Sequence, residues 1–383
     1  MIEREVVIVG AGPAGLSAAL EAADAGAQVL VVDLNMRPGG QLFKQIHKFF
    51  GSAAHQSGMR GIDIGRGMLE QAEQKGVEIW LNSTVVGLFP GEKIGVERGG
   101  DNGNREFITI HAKKIIVASG ATENAVRFKG WTLPGVMGAG AAQTMVNVNR
   151  VRPGSRVLML GSGNVGLIVS YQLMQAGCDV AALVEAAPKI GGYAVHAAKI
   201  TRAGVPIYLK HTITEAFAGK DGTLRGAVIA GVDEQFQPIP GTERSIEADV
   251  ITIAVGLKPI GELLRLMNCK FVFHSAFGGY VPLHNRNMET SCKGIYVAGD
   301  ATGVEEANTA LEEGRIAGVS AAQKLGYLSE ETAAARLDEI WSRLDALRLG
   351  PFGARRASEK QRILEEYAHS LQTTASQLEG TAS

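Results

Sequence analysis

Cysteine is scarce in this sequence of 383 residues, which contains only Cys178, Cys269 and Cys292. The three are widely spaced, and neither a CxxC pair nor a zinc-ligand pattern is present. We therefore expect no disulfide framework and no metal site, and each cysteine should be a small buried apolar side chain. Few cysteines are typical of a reducing compartment, so we expect a cytoplasmic protein.

An excess of charge of either sign is also missing. The 38 Lys and Arg residues nearly balance 39 Asp and Glu residues, for a formal net charge of −1. No surplus of positive charge is available to neutralise phosphates along a duplex, so nucleic-acid binding is excluded. No apolar run approaches the ~20 residues of a membrane span. The amino terminus lacks a charged-then-apolar leader, so we expect no signal peptide.

Glycine, in contrast, is abundant. The sequence has 49 glycines, about 13% of its residues, against a usual share of about 7%. No G-X-Y period is present, which excludes a collagen-like chain. Glycine used in this way indicates tight turns and close approaches of backbone to ligands.

Two segments share one pattern, and their glycine fingerprints start 151 residues apart. In the first, an apolar strand at 5–9 leads into the fingerprint 10–15, a helix and a second strand at 28–33. In the second, a strand at 156–160 leads into the fingerprint 161–166 and the same two elements. Each is a βαβ unit, so the pattern predicts a duplicated dinucleotide-binding domain.

The first fingerprint has the residues that dinucleotide binding requires. Gly10 permits the tight turn, Gly12 lets a pyrophosphate approach the backbone, and Gly15 lets helix and strand pack closely. The helix N-terminus offers free N–H groups and partial positive charge to the phosphates. Asp33, at the end of the second strand, can accept hydrogen bonds from a ribose diol.

The second fingerprint contains Gly161, Gly163 and Gly166, and Glu185 ends its second strand. A carboxylate there repels a 2′-phosphate, which favours NAD-type over NADP-type ligands. The alternative is a degenerate site that keeps its shape without functional binding.

A third feature, Gly299-Asp300, follows a predicted buried strand and precedes a helix. An Asp at the carboxyl end of a parallel strand can bind the polyol chain of a ligand. Alone, it could equally be a helix N-cap. Together with the first fingerprint, the pattern favours the ligand-binding interpretation.

These features together resemble the two-dinucleotide-binding-domain flavoproteins of the glutathione and thioredoxin reductase-like superfamily. The resemblance rests on fingerprint 10–15, the strand 115–120 and the stretch 290–300 (TSCKGIYVAGD). It implies FAD at the first fingerprint and NAD(H) or another adenine nucleotide at the second. The implied FAD contacts are Gly10, Gly12, Pro13, Ala14, Gly15, Asp33, Leu34, Gly40, Gln41, Val85, Ser119, Gly120, Gly299, Asp300, Asn308 and Thr309. The implied contacts at the second site are Gly161, Gly163, Asn164, Val165, Gly166, Glu185 and Gly256. The family usually has Glu at the position of Asp33.

The stretch 130–147 (GWTLPGVMGAGAAQTMVN) carries a narrower resemblance. It is similar to FAD-binding A or α subunits of multi-subunit amine and amino-acid dehydrogenases, which include opine oxidases, hydrogen cyanide synthase, dye-linked proline dehydrogenases and sarcosine oxidase. The resemblance implies an electron-transferring subunit whose partners are a second flavoprotein subunit and a small iron–sulfur subunit. The substrate of the complex would be a small amine or amino acid.

The sequence departs from both families in its cysteines. Thioredoxin reductases carry a redox CxxC where this sequence has Ala139–Ala142, so electron transfer to a disulfide is not expected. Many narrower relatives carry a C-terminal cysteine cluster for a [2Fe–2S] centre, yet no cysteine follows Cys292. Any iron–sulfur relay must then lie on another chain. No nucleophile constellation is recognisable, so catalytic residues stay unassigned, and His47 and His55 are expected to be surface residues.

The sequence thus predicts an α/β protein with two Rossmann-like three-layer domains, the second inserted in the first, and a helical tail. The predicted boundaries are 1–122 with 256–328 for the FAD domain, 123–255 for the NAD-type domain, and 329–383 for a tail that could dock a partner. Two functional alternatives stay open. One is a self-contained NAD(P)H-dependent reductase of ferredoxin, rubredoxin or a quinone. The other is a nucleotide-binding structural subunit without turnover.

Overall fold

The computed structural model describes residues 1–100, 103–350 and 353–380, and side chains as far as Leu371. The chain forms two compact units. The first comprises Met1–Thr122 together with the chain from Lys258 onward, and the second comprises Glu123–Leu257. The predicted fold class, with two Rossmann-like sheets and a helical C-terminal region, is confirmed. The sequence also predicts a break in the helical tail at 351–353, of which residues 351–352 lie outside the described residues.

The first unit is built from two stretches of chain. The first stretch contains β1 (Ile2–Val9), α1 (Pro13–Asp24), β2 (Val29–Val32), α2 (Gly61–Gln74), β3 (Glu78–Trp80), β4 (Ser83–Phe89), β5 (Lys93–Gly99), β6 (Arg105–Val117) and β7 (Ala121–Glu123). The second unit contains β8 (Val136–Gly138), α3 (Ala139–Asn147), β9 (Arg156–Leu160), α4 (Asn164–Gln175), β10 (Asp179–Glu185), α5 (Ala194–Arg202), β11 (Ile207–Leu209), β12 (His211–Ala218), β13 (Leu224–Gly231), β14 (Arg244–Glu247) and β15 (Val250–Ile253). The chain then continues through β16 (Leu257–Pro259), α6 (Glu262–Leu266), β17 (Phe271–His274), β18 (Gly279–Pro282), β19 (Ile295–Val297), α7 (Ala307–Lys324), α8 (Glu330–Leu347) and α9 (Ala354–Gly380).

The sheet of the first unit has a parallel half and an antiparallel half. Strands β3, β2, β1, β6 and β19 lie side by side and parallel, and β5 and β4 extend the sheet from β6 in antiparallel register. The carboxyl-terminal half of β1 and all of β2 are buried valine, isoleucine and leucine, as strands covered on both faces require. Because these strands are parallel, the carboxyl ends of β1, β2 and β19 lie at the same edge of the sheet.

The second unit repeats this order. Its parallel sheet runs β11, β10, β9, β15 and β8, and β12, β13 and β14 form a separate antiparallel sheet. In both units the strand before the glycine loop pairs with the strand that ends in the acid. This arrangement places each acid next to its own glycine loop.

Helices α1 and α7 pack very closely in the first unit. A Cβ atom on Gly314 would lie 2.1 Å from the carbonyl oxygen of Ala14, and one on Gly318 would lie 2.4 Å from that of Ala18. Only glycine fits at these two positions. Three apolar side chains of α8, Ile340, Trp341 and Leu344, pack in the same buried cluster as residues of α1 and α7. Among the described residues, no helix is long and apolar enough to cross a membrane.

Candidate dinucleotide-binding sites

The first glycine loop is folded as its three glycines demand. Gly10 has a φ of +106°, and its Cβ would lie 2.4 Å from the carbonyl oxygen of Ala118 at the end of β6. A Cβ on Gly15 would lie 1.8 Å from the carbonyl oxygen of Gly10. Gly12, the N-cap of α1, has no heavy atom within 4 Å of its would-be Cβ and receives no side-chain cap. The loop is thus tightly packed on one side and open where a phosphate would approach.

Asp33 links the end of β2 to the glycine loop. Its Oδ2 accepts a hydrogen bond of 2.7 Å from the backbone N–H of Ala11, and its Oδ1 accepts bonds from the backbone and side chain of Asn35. The side chain is buried, with 6% of its surface exposed. The acid therefore holds the glycine loop in place in addition to its predicted role at a ribose.

Other predicted contact residues gather around Gly12 and Ala14. A Cβ on Gly40 would lie 2.8 Å from the Cα of Gly12, and one on Gly299 would lie 2.8 Å from the Cβ of Ala14. Gly299 has a φ of +72°. The glycine-rich loop after β2 and the loop after β19 are thus both brought against the start of α1.

The remaining predicted contacts of the first unit are more dispersed. Gln41 and Leu34 are exposed, Val85 is half-buried on β4, and Ser119 donates its hydroxyl to the carbonyl oxygen of Ile260 at 2.7 Å. Gly120 has a φ of +74° and open space around its would-be Cβ. Whether these five residues contact a cofactor stays a prediction.

The start of α7 offers hydrogen-bonding groups that the described protein does not satisfy. Asn308 donates its Nδ2 to the carbonyl oxygen of Phe50 at 2.8 Å, while its Oδ1 is buried without a partner among the described residues. Outside α7, the Oε1 of Gln45 is also buried without a hydrogen-bond partner among the described residues. The hydroxyl of Thr309 donates a hydrogen bond to the carbonyl oxygen of Glu306. Among the described residues, no side chain caps the N-terminus of α7. Buried acceptors and free helix N–H groups fit a ligand rich in hydroxyl and phosphate oxygen, as FAD is.

Asp300 lies at the carboxyl end of β19, one residue after Gly299. Burial raises the pKa of its carboxyl to about 6, although the backbone N–H of Glu305 donates to its Oδ1 at 3.3 Å. A carboxyl group in this state can accept or donate a hydrogen bond near neutral pH. It is the group that we predict to bind the polyol chain of FAD.

The raised pKa gives Asp300 a testable effect on stability. Because its folded-state pKa lies above the ordinary 3.8, the FAD-free protein should lose stability as pH rises from about 4 to about 6 and then level off. Asp300→Asn should remove this contribution and stabilise the FAD-free protein by about 1–3 kcal/mol at pH 7. Urea unfolding at several pH values measures this, with the exposed Asp338→Asn as control. A destabilised Asp300→Asn protein at pH 7 would contradict the assignment.

A buried cluster of charged side chains lies directly behind Asp300. Glu313 accepts hydrogen bonds from the backbone N–H of Gly299 at 3.0 Å and from the hydroxyl of Thr302 at 2.8 Å. Arg348 and Lys360 donate to its other oxygen at 2.7 and 2.9 Å. Burial acts to raise the pKa of Glu313, but these two cations outweigh it and hold the pKa at about 2.

This cluster was not predicted from the sequence. Lys360 also donates to the carbonyl oxygen of Thr302 at 3.1 Å, so α9 is bonded to the loop that carries Asp300. Arg348 lies at the end of α8 and pairs with Glu305 as well. The helical tail thus forms part of the support of the predicted FAD site.

The second glycine loop has the same construction. A Cβ on Gly161 would lie 2.2 Å from the carbonyl oxygen of Ala254, and one on Gly166 would lie 2.2 Å from that of Gly161. Gly163 is open and caps α4 without a side-chain hydrogen bond. Gly256 has a φ of +100°. Backbone packing and an open middle glycine therefore recur in both units.

Glu185 repeats the role of Asp33. Its Oε2 accepts from the backbone N–H and the hydroxyl of Ser162 at 2.9 and 2.7 Å, and its Oε1 accepts from the N–H of Ala187 at 2.8 Å. Val165 is 38% exposed at the start of α4. Asn164 accepts from the N–H of Tyr193 at 2.8 Å.

The second unit has a glycine pair, Gly191-Gly192, that corresponds to Gly39-Gly40 of the first unit and was not recognised from the sequence. The N–H of Gly192 donates to the carbonyl oxygen of Ser162 at 2.9 Å, just as the N–H of Gly39 donates to that of Ala11 at 2.7 Å. The pair begins six residues after Glu185, the same interval that separates Gly39 from Asp33. That interval was the signal available in the sequence.

The N-terminus of α3 carries a carboxylate where thioredoxin reductases carry thiols. The Oε1 of Glu123 accepts from the backbone N–H of Gly140 at 2.7 Å, within the segment 139–142. A carboxylate satisfies a free helix N–H group and the helix dipole without redox chemistry. This local structure agrees with the absence of a CxxC pair from the sequence.

His55 is not a surface residue, contrary to expectation. Only 3% of it is exposed, and its Nε2 lies 2.9 Å from Glu312 while its Nδ1 lies 2.9 Å from the hydroxyl of Ser52. Burial lowers the pKa of His55 despite Glu312. Because Arg315 and Arg343 already pair with this carboxylate, the Ser–His–Glu chain lacks the free acid of a catalytic triad. It fastens segment 52–55 to α7.

The cysteines agree with expectation in part. Cys178 and Cys269 are buried as expected, whereas Cys292 is only partly buried, and the sulfur atoms of Cys269 and Cys292 lie 3.0 Å apart. The wide sequence spacing concealed this pair. Within the described residues, no group of three or more His, Cys, Asp or Glu side chains could hold a metal ion.

Two Rossmann-like units, each with an open glycine loop and an acid after the next strand, are the arrangement of a protein with two dinucleotide-binding domains. The chain belongs to the pyridine nucleotide-disulphide oxidoreductase family, whose sequence profile matches residues 4–314. The predicted flavoprotein resemblance is therefore confirmed. The chain is an FAD-dependent oxidoreductase of a family that uses FAD and NAD(P)H binding domains.

Individual relatives agree with this membership. The chain is 30% identical over 359 residues to the opine oxidase A subunit of Rhizobium meliloti, and the match covers 88% of this chain and 66% of the relative. It is 28% identical over 378 residues to the hydrogen cyanide synthase subunit HcnB of Pseudomonas aeruginosa, covering 92% and 78%. The fold is similar to T. acidophilum thioredoxin reductase, with a TM-score of 0.67, 23% identity, and 85% and 99% coverage. The chain thus spans about two thirds of the length of the opine oxidase relative.

Proposed function

We propose that the chain is the electron-transferring subunit of a heteromeric dehydrogenase that acts on a small amine or amino acid. The observation that carries this proposal is the similarity to the A subunit of opine oxidase over 88% of the chain. The pairing of Glu312 with Arg315 and Arg343, which gives the Ser52–His55–Glu312 chain a structural role, is consistent with the proposal, because such a subunit leaves substrate oxidation to a partner.

FAD is assigned to the first unit. The N–H groups at the start of α1 would bind its pyrophosphate next to Gly12, Asp33 would bind a ribose, and Asp300 would bind the polyol chain. When bound, the flavin supplies the electron-accepting ring, and the protein supplies orientation and electrostatics. The cluster around Glu313 holds the Asp300 loop in position for this purpose.

NAD(H) is assigned to the second unit. The start of α4 would bind its phosphates next to Gly163, and Glu185 would accept from a ribose diol. The same carboxylate disfavours a 2′-phosphate by like-charge repulsion. Another adenine nucleotide would meet the same groups.

A subunit that transfers electrons requires a partner that supplies them and a partner that receives them. We propose a second flavoprotein subunit that oxidises the amine and a small iron–sulfur subunit, because the relatives that this chain resembles are named as subunits of larger enzymes. The scarcity of cysteine supports a cytoplasmic complex. A self-contained NAD(P)H-dependent reductase is the second candidate, and the complete second glycine loop favours it.

Anaerobic mixing of the purified, FAD-loaded chain with NADH, and separately with sarcosine, proline or an opine, tests the two functions. We expect negligible bleaching of the flavin absorbance with each amine, because the partner that oxidises it is missing. Stopped-flow absorbance measures the rate, and the co-purified native complex is the positive control. Turnover of an amine by the chain alone would contradict the subunit proposal. Rapid bleaching by NADH would favour the reductase.

A further inference from the structure

The thiols of Cys269 and Cys292 are in direct contact, with their sulfur atoms 3.0 Å apart. The thiol of Cys269 donates to the sulfur of Cys292 at 3.0 Å, and the thiol of Cys292 donates to the carbonyl oxygen of Met267 at 3.2 Å. A disulfide has a sulfur–sulfur distance of about 2.05 Å, so bond formation requires an approach of roughly 1 Å. Both residues are free thiols here.

Short hydrogen bonds fix the two segments that carry these thiols. The N–H of Lys270, next to Cys269, donates to the hydroxyl of Ser291, next to Cys292, at 2.8 Å. The N–H of Cys292 donates to the hydroxyl of Thr290 at 3.1 Å, and the N–H of Cys269 donates to the carbonyl oxygen of Leu264 at 3.0 Å. The bond between Lys270 and Ser291 therefore links the two segments directly beside the thiols, and the other two bonds fix the backbone of each cysteine within its own segment.

The two thiols differ in exposure. Cys269 is 7% exposed and packs in the apolar cluster beneath the sheet, whereas Cys292 is only partly buried. Burial, together with the hydrogen bond to Cys292, raises the pKa of Cys269 to about 12. Cys269 therefore stays protonated near neutral pH and is shielded, which leaves Cys292 as the thiol that a small oxidant meets first.

We propose that Cys269 and Cys292 form a dithiol that peroxide converts into an intramolecular disulfide. The sulfur of Cys292 attacks one oxygen of hydrogen peroxide, the oxygen–oxygen bond breaks, and a sulfenic acid forms, while the departing hydroxide takes up the proton of the Cys292 thiol and leaves as water. The sulfur of Cys269 then attacks the sulfenic sulfur, the sulfur–oxygen bond breaks, and a second water leaves. The two thiols lose two electrons in total, and these reduce one peroxide to two waters.

The disulfide would close the segment 270–291, which contains β17 and β18. Cys292 lies in the turn before β19, and β19 leads to Gly299 and Asp300. Cross-linking restricts the unfolded chain and so raises the midpoint of thermal unfolding. The disulfide would thus cross-link Cys269 to the turn before β19, the strand that leads to the predicted FAD-binding residue Asp300.

Treatment of the purified FAD-loaded protein with excess hydrogen peroxide, followed by peptide mapping without reductant, tests this proposal. We expect a cross-linked peptide that joins Cys269 to Cys292 and a loss of two of the three free thiols. The thermal midpoint should rise by several degrees and return after treatment with dithiothreitol. Each readout is independent of enzymatic activity.

Three variants sharpen the outcome. Cys178→Ser is the matched control and should form the same cross-link with no free thiol left. Cys292→Ser should form no cross-link and show no reversible rise of the midpoint, and Cys269→Ser should stop at an oxidised Cys292. Oxidation of wild-type protein to a sulfinic acid at Cys292 without a cross-link, or a disulfide that includes Cys178, would overturn the proposal. The wild-type peptide map decides even where a variant fails to fold.

Discussion

Replacing Glu313 with alanine is expected to destabilise the first unit by about 3–5 kcal/mol, because two buried cations lose the carboxylate that they share and then have Glu305 as their remaining ion-pair partner among the described residues. Arg348 and Lys360 are each 5% exposed, and both donate to Glu313. The same change removes the acceptor of the Gly299 N–H and of the Thr302 hydroxyl. FAD retention should therefore fall together with stability.

Urea unfolding at pH 7 and the FAD content of the purified protein measure this effect. Glu339→Ala is the control, since the exposed Glu339 forms a surface pair with Arg343, a type of interaction that contributes less than about 1 kcal/mol. The stability of Glu313→Gln should lie between that of Glu313→Ala and that of Glu339→Ala. Because the pKa of Glu313 is lowered from 4.5 to about 2, its contribution is full above pH 4.5 and is lost as pH falls towards 2. A Glu313→Ala protein as stable as Glu339→Ala would refute the role of the cluster.

Gly12→Val is expected to weaken FAD binding on the order of 100-fold, equal to about 3 kcal/mol, with little loss of stability. The Cβ of residue 12 enters open space, and the φ of −78° at Gly12 suits any residue. The added side chain therefore occupies only the position where the pyrophosphate would approach. Gly163→Val is the equivalent change in the second unit, where the φ is −66°.

The two glycine variants control for each other. Gly12→Val should lose FAD, measured by flavin fluorescence titration, and keep nucleotide binding at the second unit, measured by calorimetry with NAD⁺. Gly163→Val should show the reverse. Gly15→Ala, whose Cβ would overlap the carbonyl oxygen of Gly10 at 1.8 Å, should unfold the loop and lose stability. If Gly12→Val bound FAD like the wild type, the assignment of this loop would be wrong.

The fold could be predicted from the sequence because its signals are local. Each glycine fingerprint, the strand before it and the acid after it follow short-range rules of turn geometry and helix termini. The strand 295–297 and the helix from Ala307 likewise lie next to their own signal, Gly299-Asp300.

The support of the site could not be predicted because it joins distant residues. Arg348 and Lys360 resemble solvent-facing positions of charged helices, and only the packing of α8 and α9 buries them against Glu313. His55 meets Glu312 across 257 positions of sequence. Cys269 and Cys292 lie in two turns whose contact depends on the placement of β17 and β19. Local patterns carry no information on such pairings.

The acid that ends the second strand of each unit does two jobs, and this limits how coenzyme preference can change. Glu185 both faces the predicted ribose position and secures the loop through Ser162. Replacing Glu185 with arginine to accommodate a 2′-phosphate would remove the negative charge. It would also remove the acceptor of the Ser162 N–H and hydroxyl. If Glu185 binds the ribose as predicted, we expect that a change of preference towards NADP needs compensating changes in the loop together with the acid.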